Sequence, residues 1–173
     1  MSLAFTDNPA PQLLTMYRRL MQVASQFGEH ANPALGVDIA GFRRYRGDWV
    51  GAIITPWFIR LIVLPGGGNL WRALPAGDKL RLEFPAGDLE VIADPLPDSK
   101  LPVSLYCPLT YSVKEIVSQE AAQEIAMAAI NTLFSPPAQH PVAIATANPL
   151  QAPDTAPPTV DRRGFFRRLG GLK

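Results

Sequence analysis

The sequence predicts an α+β fold. Residues 1–135 are expected to form a single domain, an antiparallel sheet of about five strands packed by an N-terminal and a C-terminal helix. Residues 136–173 are expected to form a Pro-rich flexible tail ending in a twin-arginine-like motif. Three observations predict this. β-branched and alternating segments follow one another without interruption between residues 37 and 107. Helical periodicity flanks them on both sides. Seven of the 18 prolines fall in the last 38 residues.

The first helix is predicted over residues 11–28. Leu13, Tyr17, Leu20, Met21, Ala24 and Phe27 recur at spacings of three and four and so share one face, while Arg18, Arg19, Gln22 and Gln26 take the other. Gly28 suits its end, and Asn32-Pro33 marks a loop. Val37, Ile39 and Phe42 begin the strands and lead to a turn ending at Gly47-Asp48. Residues 49–55 and 58–64 are apolar and β-branched. Pro56 cannot donate to a ladder and should separate them. A clear hairpin follows: Leu80, Leu82 and Phe84 alternate with Lys79, Arg81 and Glu83, the chain turns at Pro85-Ala86-Gly87-Asp88, and Leu89, Val91 and Ala93 alternate on the return. Residues 101–107 add a strand that Pro102 makes an edge or a late starter. The last helix is predicted over residues 112–134, with Val117, Ala121, Ile125, Ala128 and Leu133 as its apolar stripe. Strands in one run argue for helices on one face of the sheet.

Charge divides the chain. Residues 1–135 carry a net charge of −2, and residues 136–173 one of +3. A slightly acidic body excludes a nucleic-acid binder, which needs a basic face. No apolar run reaches the roughly 20 residues that span a bilayer, so no stable membrane insertion is expected. The start of the chain has no basic and apolar leader. With Cys107 the single cysteine, a cytoplasmic protein is expected.

Candidate chemistry is sparse. His30, His140 and Cys107 are single and far apart, which argues against a metal site. Cys107 lies on an apolar strand with no histidine nearby to act as base, and Ser104 has no nucleophile-elbow glycines. Gly66-Gly67-Gly68 has no following Lys-Ser or Lys-Thr to make a phosphate loop. Glu83 and Glu90 are placed to face each other across the hairpin, and a solvated polar face accounts for them better than acid–base work. No cofactor and no catalytic residue is assigned. Two features remain. One is the aromatic segment around Pro56. Either Trp49 and Phe58 are core, or Trp57, Phe58 and Trp71 anchor a peptide in an aromatic groove, with Glu83, Asp88, Glu90, Asp94 and Asp98 as the nearby carboxylates. The other is the tail, where Arg162, Arg163, Phe165, Phe166 and Arg167 match a twin-arginine export motif without the apolar segment that would make it a working signal.

Residues 49–65 (WVGAIITPWFIRLIVLP), Trp71, Phe84-Pro85-Ala86-Gly87 and Val103-Ser104-Leu105-Tyr106-Cys107-Pro108-Leu109 together resemble the HybE/HupJ family of NiFe-hydrogenase assembly chaperones. The resemblance implies a non-catalytic chaperone without a cofactor. Its implied partner is the hydrogenase small-subunit precursor with its twin-arginine signal, held back from export until assembly is complete. The large subunit and other maturation proteins are further possible partners in such a family. The alternative is an adaptor whose basic, aromatic tail docks on anionic lipid or a translocation component.

Overall fold

The structure, a computed structural model, describes residues 4–24 and 30–137. Helix α1 spans Ala10–Ala24 and helix α2 Gln119–Phe134. Between them lie β1 (Asp38–Tyr45), β2 (Asp48–Ile54), β3 (Ile59–Leu64), β4 (Lys79–Phe84), β5 (Gly87–Asp94) and β6 (Ser104–Pro108). The six strands form one antiparallel sheet in the order β1-β2-β3-β6-β5-β4. This is the α+β fold the sequence predicts, with six strands instead of about five. The strand after Pro102 does start late, but it is central, between β3 and β5.

Local chemistry sets the connections. Arg46 and Gly47 both have positive φ (50° and 87°), which makes a two-residue hairpin turn whose twist matches the strands. At Pro56 the chain reverses inside a threonine turn: Thr55 Oγ1 accepts from the Trp57 and Phe58 amides, and the Thr55 amide donates to the Phe58 carbonyl. In β1 the register slips between Ala40 and Arg43, a bulge, with Gly41 at φ 64°.

The helices lie on opposite faces of the sheet, which corrects the one-face expectation. α2 covers the face made by Val50, Ala52, Ile54, Leu61, Val63, Leu105, Val91 and Phe84. α1 covers the other, where Leu13 and Tyr17 pack with Trp49, Ile53, Ile62 and Leu64. Every residue of β2 is therefore buried. An unbroken apolar run is the pattern of a strand covered on both sides, whereas the wet-faced β4 and β5 alternate.

α2 begins later than predicted. Ser118 caps it, its Oγ accepting from the Ala121 amide, so Val117 stays outside the helix and is 85% exposed. The buried stripe is Ala122, Ala126, Ala129, Ile130 and Leu133, one step out of phase with the expected one. Glu83 pairs with Asp88, and Glu90 with Arg81, so the two glutamates do not face each other. The sheet coils until its two edges meet at one corner. There Tyr45 stacks on Phe84 (5.4 Å between ring centres), Phe134 of α2 meets both rings edge-on, and Arg46 Nη2 donates to Glu83 Oε2 at 3.1 Å.

Candidate functional site

The α1 face carries the most elaborate side-chain arrangement on the surface. At its centre is Arg60 of β3. Its guanidinium carbon lies 3.8 Å from the Phe58 ring centre and 4.1 Å from that of Tyr106, and its Nη1 donates to Asp94 Oδ2 at 2.8 Å. Tyr17 of α1 meets Phe58 edge-on at 6.1 Å. Register explains the assembly: Ile62 pairs with Tyr106 and Ile92 with Tyr106, so side chains two residues along each strand converge across the central strand β6. The cluster ties α1, β3, β6 and β5 together. Burial pushes the Tyr17 hydroxyl up to about 12, Arg60 pulls it down, and Asp94 adds a further upward push.

Beside this cluster a groove of about 640 Å³ runs along α1. One wall is the helix flank Gln12, Thr15, Met16, Arg19, Leu20 and Val23; the other is the segment 97–101 between β5 and β6. Leu20 is 36% exposed and Val23 66%. The helix is apolar over a wider arc than the sheet covers, and the surplus faces the groove. Asp98 and Arg19 add one charge of each sign to the lining. Apolar walls with a few charges are the character of grooves that bind peptides. Among the described residues no three His, Cys, Asp or Glu side chains gather where a metal ion would be held, and Cys107 is buried in the α2-side core.

The structure separates the residues that the sequence suggests as one binding surface. Trp57 and Phe58 lie in the β2–β3 turn, both half-buried. The Trp71 amide is bound to Asp48, at the far end of β2, roughly 20 Å away at the usual strand rise. The Trp71 indole packs on the α2-side core and donates to the Val103 carbonyl at 3.0 Å. Glu83 is paired with Arg46, and Glu90 with Lys79 at 3.0 Å. Asp88 stands half-buried opposite Glu83. Of the expected set Phe58 and Asp94 belong to the α1-face cluster, and Asp98 lines the groove beside it. Arg162, Arg163, Phe165, Phe166 and Arg167 lie outside the described residues. Sequence reasoning missed the groove itself. Its signal was the excess of apolar residues on α1, with Leu14, Met16 and Val23 beside the stripe already read as core.

Comparison with known proteins agrees with this architecture. The family model described as NiFe-hydrogenase assembly, chaperone, HybE matches residues 8–168. The hydrogenase expression/formation protein HupJ of Bradyrhizobium diazoefficiens is 32% identical over 159 residues, 87% of this chain and 82% of that protein. The hydrogenase-2 operon protein HybE of Escherichia coli K12 is 25% identical over 67 residues, 39% of this chain; the match spans only 41% of that relative's length. The solution structure of HybE from Escherichia coli superposes with a TM-score of 0.59 at 22% identity, covering 86% of this chain and 93% of that one, a likeness of fold. The chain belongs to the HybE family of NiFe-hydrogenase assembly chaperones.

Proposed function

We propose that this chaperone acts without catalysis, in the cytoplasm, by holding the hydrogenase small-subunit precursor through its twin-arginine signal and delaying export until assembly is complete. The groove along α1 carries this reading. It offers Met16, Leu20, Val23 and Leu101 to the apolar residues of a signal and Asp98 to one of its arginines. Guanidinium–carboxylate pairing at a groove rim gives orientation, and the apolar contact gives most of the affinity. Phe58, on the same face, extends the surface. Trp71, Glu83, Asp88 and Glu90 serve the fold and the opposite sheet edge.

The test is calorimetric titration of a synthetic hydrogenase small-subunit signal peptide into the full chain. Leu20→Glu or Val23→Glu should weaken binding about tenfold or more, since each puts a charge where an apolar side chain would be covered. Equal affinity for both variants and the parent would sink the groove as the recognition surface. The tail motif enters as a mimic of the same signal, occupying the groove when the client is absent. At a linker of about 25 residues its local concentration is in the millimolar range. Removing residues 160–173 should then tighten peptide binding several-fold; an unchanged affinity rules out self-occupancy.

A further inference from the structure

The opposite edge of the sheet carries a second arrangement that neither the groove nor the aromatic cluster uses. Three arginines from three separate parts of the chain converge there. Arg46 comes from the β1–β2 turn, Arg72 from the segment after β3, and Arg81 from the edge strand β4. With Asn69, Leu70, Leu80, Leu82 and Glu83 they line a cleft of about 200 Å³. Among the described residues Glu83 is its one carboxylate, and Arg46 already holds it. That leaves Arg72 and Arg81 as the remaining charges among the described residues of its lining, Arg81 standing opposite Glu90 of β5, which Lys79 holds.

β4 itself is an open edge. It pairs with β5 on one side only, and among the described residues no backbone hydrogen bond reaches it from any other element. An unpaired edge offers a row of N–H and C=O groups to any extended chain. The cleft is smaller than the roughly 300 Å³ at which small-molecule sites begin. It suits one or two side chains of a longer segment better than a whole cofactor.

We propose that β4 and its arginine cleft form a docking edge for an extended, acidic polypeptide segment of a partner protein. The segment adds as a seventh strand on β4, and its Asp or Glu side chains enter the cleft to meet Arg72 and Arg81. Backbone pairing supplies register, and the planar guanidinium forks select carboxylates. Nothing here depends on the α1 groove, so a failure of either surface leaves the other intact. A chaperone with both would hold two polypeptides at once.

The experiment uses the full chain and a nine-residue peptide of alternating Glu and Val. A Lys–Val peptide and a single-stranded oligonucleotide of equal negative charge serve as competitors. The acidic peptide should bind, more weakly as salt rises, and should slow amide exchange over residues 79–84. Arg72→Glu and Arg81→Glu should each weaken it about tenfold, the factor of one charge-assisted pair. Both side chains are exposed, so folding should be retained; Arg72→Gln and Arg81→Gln provide a milder pair, read against the far-ultraviolet spectrum. Three results overturn the proposal. They are equal binding of the Lys–Val peptide, tighter binding of the oligonucleotide (a polyphosphate site), and peptide binding that leaves exchange over 79–84 unchanged.

Discussion

Asp48 organises more of the molecule than any other single side chain, and its sequence context does not announce it. It is 1% exposed, and its two oxygens accept four backbone N–H groups, from Gly66, Gly68, Leu70 and Trp71, at 2.8–2.9 Å. The glycine run beside it is there for closeness. A Cβ on Gly66 would lie 2.3 Å from the Gly47 carbonyl oxygen, and one on Gly68 would lie 2.1 Å from that of Arg46. Asp48→Ala would strand four donors at once. It should cost about 3 kcal/mol or more in urea unfolding, since each unsatisfied buried group costs about 1–3 kcal/mol; a loss under about 1 kcal/mol would mean that water replaces the carboxylate. Tyr17 gives a second test at this scale. Its hydroxyl rises to about 12 in the fold from an ordinary value of 10.0. A raised value means a contribution that is complete below pH 10 and is lost as pH climbs through 10 toward 12. The parent should lose about 2–3 kcal/mol over that window that Tyr17→Phe does not lose. Parallel pH profiles would show the phenol to be wet in the fold.

At the scale of elements, the sequence shows what alternates and hides what is covered twice. The β4–β5 hairpin was legible because each strand keeps one wet face, but its turn is tighter than the residue types suggest: residue 84 pairs with residue 87, and this shorter turn shifts the register by two. β2 and β3 were legible as strands, but the unbroken apolar run of β2, and that of β3 after Arg60, also meant a helix on each face, an inference the simple strand order obscured. The phase of the α2 stripe was misread because Ala-rich sequence has little contrast: five alanines leave it to a few large residues, and Ile125, part of the expected stripe, is only partly buried beside Ile130 and Leu133. The binding surface was the least legible part. Proximity along the chain put Trp57 near Trp71, and the length of β2 pulls them apart. One element-scale contact is directly testable. The Phe42 ring, displaced by the bulge in β1, lies over Gly51, and a Cβ there would sit 2.0 Å from the ring. Gly51→Ala should cost about 1–3 kcal/mol by overpacking. In a Phe42→Ala background that cost should largely vanish, and additive costs in the double variant would mean that the strain lies elsewhere.

At the scale of the whole molecule, the chain builds both hydrophobic clusters from residues 5–134. The last structural bonds in the described residues are made at the end of α2. The Ala86 amide donates to the Leu133 carbonyl, Arg43 lies 4.8 Å from the Phe134 ring centre, and Phe134 completes the corner where the two sheet edges meet. That corner also sets the place of the arginine cleft, because Arg46 reaches Glu83 only where the coil brings β1 to β4. Both clusters are therefore whole in a chain that ends at Pro137. A chain ending there is expected to unfold in urea within about 1 kcal/mol of the full chain and with the same slope, because slope follows the surface exposed on unfolding. The two quantities separate two roles for residues 138–173. A tail that packs permanently on the body would raise both the free energy and the slope of the full chain. A tail that visits the α1 groove weakly, as a signal mimic should, would leave the slope unchanged. It would add only RT ln(1 + c/K), which stays below about 1 kcal/mol while the effective concentration c is no more than a few times the dissociation constant K. A larger slope in the full chain would make the tail part of the fold and remove it as a competitor for the client's signal.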